Sequence, residues 1–107
     1  MERKYIAVGV DTNEKIWKGH FGIAPYFYIY DEKKNFIEKR LNPYGQLAEG
    51  KHNHHDNPKL IIDFLNDCNT FVAKRMGQES KIKLQQNFGI RPVIVETESV
   101  EEALAQV

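Results

Sequence analysis

The sequence predicts an α/β domain, a mixed five-stranded sheet covered by three helices, and three observations carry that expectation. Two early aromatic or β-branched runs are joined by a short polar turn, as in a hairpin. The later strand-like runs alternate with helix-period stretches, as parallel strands require. With 107 residues, one hydrophobic core is expected over residues 1–107, because a split would leave two pieces too small to bury useful cores.

Lys4 to Val10 is a short apolar run with β-branched residues that stops at the turn formers Asp11-Thr12-Asn13, and it reads as the first strand. Tyr26–Tyr30 and Phe36–Leu41 are rich in strand formers, and the polar Asp31–Asn35 between them predicts an antiparallel pair. From Asn42 to Asn57 no apolar period is sustained, so a loop is expected. Asn57 can cap the next helix with Pro58 at its first position. Leu60, Ile61, Phe64, Leu65 and Cys68 then recur at helical spacing on one face.

Thr70–Ala73 is too short for a helix and reads as the fourth strand. A second helix is expected from Glu79 to Phe88, with Ile82, Leu84 and Phe88 inward. Gly89 can end it in the left-handed conformation, and Ile90 can fold back on its last turn. Pro92–Glu96 is the fifth strand, and Ser99-Val100-Glu101-Glu102 is a capping box for a last helix with Val100, Leu104 and Val107 as its apolar stripe. Right-handed crossovers and a central first strand then predict the order 3-2-1-4-5 with strand two antiparallel to the others. That is a ribonuclease-H-like, three-layer arrangement.

Fifteen Lys and Arg against fifteen Asp and Glu leave no net charge, so no long-range field favours a polyanion or an anionic membrane. Neither nucleic acid nor membrane is an expected partner. No segment approaches the roughly 20 apolar residues of a membrane span, and Met1-Glu2-Arg3-Lys4 does not open a signal peptide, which makes a cytoplasmic location the expectation. The single Cys68 cannot form an internal disulfide or a thiolate-only metal site, so metal chemistry must lean on imidazole.

Four histidines supply it. His52, His54 and His55 fall within four residues, and His20 sits alone between Gly19 and Phe21-Gly22. Imidazole is the commonest protein ligand for transition metals, and the glycines around His20 permit a tight course that brings it to a concave edge. The bland alternative for His20 is a ring bonded to main chain that pins its loop. For the patch, the candidate metal ligands His52, His54 and His55 compete with a solvated loop that picks up metal adventitiously. Cys68 is expected as a small buried hydrophobe. Trp17, Phe21 and the tyrosines are expected in core and sheet surface, with Tyr26, Tyr28 and Tyr30 on one side as a partner patch if exposed.

The segment Gly19-His20-Phe21-Gly22-Ile23-Ala24-Pro25, leading into the aromatic strand Tyr26–Tyr30, resembles the His-Phe-Gly segment of the dinitrogenase iron–molybdenum cofactor biosynthesis family. Asp67-Cys68, Met76-Gly77, Phe88-Gly89-Ile90-Arg91-Pro92-Val93 and Ser99-Val100-Glu101-Glu102-Ala103-Leu104 extend the resemblance over essentially the whole chain. The resemblance implies a small ribonuclease-H-like domain that binds or carries a metal cluster, the iron–molybdenum cofactor or another metal–sulfur cluster. It assigns the cofactor-binding role to His20 and gives none to His52, His54 and His55. The chain departs from the family in having one cysteine and in reading Arg75-Met76-Gly77-Gln78-Glu79 where a more glycine-rich turn is usual.

The expected function is therefore non-catalytic: neutral imidazoles hold a metal cluster loosely enough to hand it between donor and acceptor proteins, and binding weakens as pH falls through the histidine range near ~6.5. An alternative is a protein-interaction or regulatory module with incidental histidines. A metal-dependent nuclease, suggested by fold analogy alone, would need several converging carboxylates. Asp11 after strand one and Glu96 at the end of strand five are its only placed candidates.

Overall fold

The computed structural model describes residues 3–43, 45 and 58–107. The first strand, β1 (Tyr5–Val10), is apolar on both faces, and all but its first residue are buried. Such a strand must lie inside a sheet with layers above and below it. It pairs antiparallel with β2 (Tyr26–Tyr30) on one side and parallel with β4 (Cys68–Ala73) on the other, so that Ala7 faces Ile29 and Phe71. The edge strands are β3 (Phe36–Leu41), antiparallel to β2, and β5 (Arg91–Ile94), parallel to β4. The order β3-β2-β1-β4-β5 with β2 reversed is the one the sequence predicts.

Alternation along the strands divides the core in two. On one face Ala7, Phe27, Ile29 and Phe71 pack with Ile61 and Ile62 of α1 (Pro58–Phe64) and Leu84 of α2 (Gln78–Phe88). On the other, Ile6, Val8, Val10, Tyr30 and Val72 pack with Ala103 and Leu104 of α3 (Val100–Leu104). Val100 and Val107 complete the stripe expected of that last helix. Three layers result.

Cys68 does not extend the apolar face of α1, as its spacing suggested. The helix stops at Phe64, and the Asp67 carbonyl accepts the amides of Lys4 and Tyr5, both at 2.9 Å. That pairing draws the chain into the sheet, so β4 opens at Cys68, two residues before the expected start. Of the three inward positions expected of α2 only Leu84 is buried; Ile82 and Phe88 are 44% and 37% exposed. The helix packs beside β5, the edge strand of the sheet, and reaches the core through Leu84. Its end is as expected: Gly89 takes φ 65°, and the amides of Gly89 and Ile90 both reach the Leu84 carbonyl.

The capping box at α3 closes with one change. Ser99 Oγ accepts the Glu102 amide at 3.2 Å, but the Glu102 carboxylate takes the Thr97 hydroxyl, whose oxygen in turn accepts the Ser99 amide at 3.1 Å. Two turns elsewhere share one construction. Asp11 Oδ1 accepts the amides of Asn13 and Lys15, and Asp31 Oδ1 those of Lys33 and Asn35. Each turn forces its fourth residue, Glu14 or Lys34, into positive φ. Tyr26, Tyr28 and Tyr30 do share one side of β2; Tyr30 is buried, and Phe36 meets the rings of Tyr28 and Tyr30 edge-on. The long loop expected over 42–57, and the Asn57 cap with it, lies outside the described residues apart from Asn42, Pro43 and Gly45.

Arg40 ties edge strand β3 to the turn before β4 by a forked pair to Asp67, Nη1 to Oδ1 at 3.0 Å and Nη2 to Oδ2 at 2.7 Å. Its Nε also donates to Glu38 at 2.6 Å. Both partners are about four-fifths buried. The Arg40 hydrogen bonds hold the Asp67 carboxyl below the usual aspartate range. A depressed carboxylate contributes stability that is complete above its unfolded value, near ~4, and is lost as pH falls through its folded value. Arg40→Met should therefore cost about 1–3 kcal/mol at neutral pH, with the gap from the parent narrowing as pH drops below about 4; urea midpoints at several pH values measure both. Lys34→Gly should raise stability by about 0.5–1 kcal/mol by relieving positive φ, read from the same denaturation curves.

Candidate functional site

The segment between β1 and β2 is held against the sheet at successive points, and those points decide where His20 stands. Ile16 bridges back to Val10, and the Trp17 amide donates to the Gly9 carbonyl at 2.9 Å. His20 is extended (φ −65°, ψ 141°) and leads into a single 3-10 turn, Phe21–Ile23. His20 forms a parallel bridge with Arg75, and the Phe21 amide donates to the Arg75 carbonyl at 3.1 Å. Phe21 turns inward. Its ring stacks on Phe71 at 4.7 Å and tilts against Phe27 at 4.9 Å.

Next to a residue anchored inward in extended backbone, the neighbouring side chain faces out. His20 is accordingly exposed. Among the described residues its ring makes no hydrogen bond and no ion pair, so within them no bond from the imidazole to main chain pins this loop.

A buried amide pins it instead. Asn42 is fully buried, and its Nδ2 donates to the carbonyls of Gly22 and Ala24, both at 2.9 Å. These carbonyls belong to a turn that cannot bond them itself. Gly45 lies beneath: a Cβ there would run into the Ala24 carbonyl oxygen, so no larger residue fits without moving the turn. By sequence Asn42 is only the first residue of the expected loop. Its one signal was its place at the end of a strand, followed by Pro43 and, two residues later, Gly45.

Beside His20 opens a pocket of about 50 Å³, at the C-terminal ends of β1 and β4, where the chain leaves one strand for β2 and the other for α2. Phe21, Phe71 and Leu84 form an apolar floor, and His20, Met76 and Ser80 stand around it. The space takes only a few water molecules.

The other candidates fall elsewhere. Cys68 begins β4 and His20 stands beyond its far end, beside Arg75, roughly 20–25 Å away at strand rise. Burial, and then the Asp67 carboxylate, push the Cys68 thiol well up, which disfavours the thiolate that a metal would need. Asp11 spends a carboxylate oxygen on its own turn. His52, His54 and His55 lie outside the described residues. Among the described residues no three His, Cys, Asp or Glu side chains are grouped to hold a metal ion.

Fold and site together define a small three-layer α/β domain that presents a histidine from a pinned loop at the ends of its parallel strands. The chain belongs to the dinitrogenase iron-molybdenum cofactor family, whose model matches residues 2–107. The family's name ties its members to that cofactor. No curated protein matches the chain. The fold is shared with solved structures. One is the NMR structure of a NifB-like protein from Thermotoga, of the DUF35 family, at 21% identity and TM-score 0.63 over 95% of this chain and 84% of that one. Another is the apo form of the orange protein from Desulfovibrio gigas, at 16% identity and TM-score 0.68 over 97% of this chain and 86% of that one. Among the described residues no helix is long and apolar enough to cross a membrane.

Asn42→Ala should leave two carbonyls of the His20 turn without their donor and cost about 1–3 kcal/mol. Amide hydrogen exchange should then quicken at Phe21, Ile23 and Ala24, while strands β4 and β5 keep their relative protection.

Proposed function

We propose that this chain binds a metal cluster as cargo and carries it without transforming it, with His20 as the protein's ligand to the cluster. The observation that supports this reading most is an exposed imidazole, unbonded among the described residues, on the rim of an apolar pocket in a chain of the iron-molybdenum cofactor family. A neutral imidazole offers a metal one lone pair and no charge. One such donor holds an inorganic cluster while leaving most of its surface open to a recipient protein. The similarity of fold to the orange protein and to the NifB-like protein is consistent with this reading. So is the strand order expected of a ribonuclease-H-like domain.

His52, His54 and His55 are proposed as further metal ligands, on their clustering in sequence alone. The cargo is an iron–molybdenum or other metal–sulfur cluster, the partners are the proteins that supply and receive it, and the setting is the cytoplasm. No catalytic step is assigned. The nuclease reading loses support because Asp11 serves its own turn. A second reading, a protein-interaction module, is favoured by Phe36 and Leu41, 55% and 57% exposed on edge strand β3.

The test uses the chain without an affinity tag, incubated anaerobically with ferrous iron, sulfide and molybdate, then gel-filtered and analysed for metal. Retained metal should fall roughly tenfold or more in His20→Ala, and should fall on acidification as imidazole takes up a proton at its donor nitrogen. Metal lost only when His52, His54 and His55 are replaced together would assign binding to that patch and overturn His20 as the ligand. No retained metal in the parent chain would leave the interaction module as the better reading.

A further inference from the structure

The loop that carries His20 also carries the chain's one tryptophan, three residues earlier, and a direct bond joins the two. The Trp17 indole Nε1 donates to the His20 carbonyl at 3.0 Å. Because the Trp17 amide is itself bonded to Gly9 on β1, the near end of this link is fixed to the central strand. The indole is half-buried against the core face that holds Phe21 and Phe71.

The bond acts on a particular peptide. The plane between His20 and Phe21 has its oxygen held by the Trp17 indole and, at 3.2 Å, by the Ile23 amide of the 3-10 turn, and its N–H held by the Arg75 carbonyl at 3.1 Å. With both ends of that plane engaged, the ψ torsion of His20 cannot turn freely, and the Cα–Cβ direction of the imidazole is set before any ligand arrives. Gly19 makes the arrangement possible. A Cβ at that position would stand 2.8 Å from the indole Nε1 and 2.9 Å from Cε2, too close for the ring to remain. A methyl group there pushes the indole away, and the bond to His20 is what the displacement breaks.

We infer that Trp17 is a positioning residue for His20: its indole N–H holds the carbonyl of residue 20, and Gly19 is the contact that allows it. The inference rests on the reading of His20 as a ligand. A donor whose loop is already ordered loses less freedom when it binds, so the bond between Trp17 and His20 adds to cargo affinity without touching the cargo.

Trp17→Phe keeps an aromatic ring in place and removes only the donor, while Gly19→Ala displaces the ring. In the anaerobic iron, sulfide and molybdate assay each should weaken metal retention roughly three- to tenfold, the worth of one hydrogen bond, with the thermal midpoint little changed. Trp17→Phe combined with Gly19→Ala should be no worse than either alone, because both break the same bond. Carbon-13 relaxation of the His20 ring, recorded with no metal added, should give a lower order parameter in both variants.

An unchanged order parameter in Trp17→Phe overturns the positioning role, whatever the metal result. Unchanged retention in Trp17→Phe, where His20→Ala abolishes it, overturns the role and leaves the ligand intact. If His20→Ala retains its metal, the ligand reading fails, and the ring relaxation still decides whether Trp17 positions it.

Discussion

Everything about the candidate site depends on one stacking contact, the ring of Phe21 lying on that of Phe71. Phe71 belongs to β4, a central strand, and is essentially fully buried, so it cannot move without disturbing the core. By joining it, Phe21 makes a loop residue part of the hydrophobic core. Its neighbour His20, one position back in extended backbone, then has nowhere to go but out. The burial of one aromatic ring thereby decides the exposure of the His20 imidazole.

Around that contact the backbone accounts are closed by side chains that carry no chemistry of their own. Asn42 bonds the carbonyls of Gly22 and Ala24, Trp17 that of His20, and Arg75 receives the Phe21 amide through its own carbonyl. A loop with its polar groups satisfied in this way costs little to keep still. The molecule also separates its tasks by position. Arg40, Asp67 and Cys68 gather at the start of β4, where they bond edge strand, turn and core; His20, Met76 and Ser80 gather beyond its end, around an apolar hollow. Tight electrostatic pairing lies at one end of the sheet and, at the other, an exposed imidazole with no bond among the described residues.

Period and punctuation carried the fold a long way. The strand formers of Tyr26–Tyr30 and Phe36–Leu41, the turn formers after Val10, the glycine after Phe88 and the Ser99 cap each act over a few residues, and the structure has all of them in place. The errors share a cause. Cys68 continues the spacing of α1 in sequence, yet the amides of Lys4 and Tyr5, more than sixty residues away, claim the Asp67 carbonyl and end the helix first. Ile82 and Phe88 look inward by residue type, but burial depends on what lies beneath a helix, and α2 sits over an edge. Long-range pairing overrides local periodicity wherever the two compete.

What the sequence determined by itself is the identity and order of the elements, the family, and His20 as the residue to watch, because propensity, turn chemistry and a short motif are all properties of neighbouring residues. What only the tertiary structure decided is which groups serve that histidine. Trp17, Asn42, Gly45 and Arg75 come from four places along the chain and act through carbonyls, amides and close approach, interactions that leave no period in a sequence. A hydrogen bond to a main-chain atom depends on where the backbone lies, and that place exists only after the chain has folded.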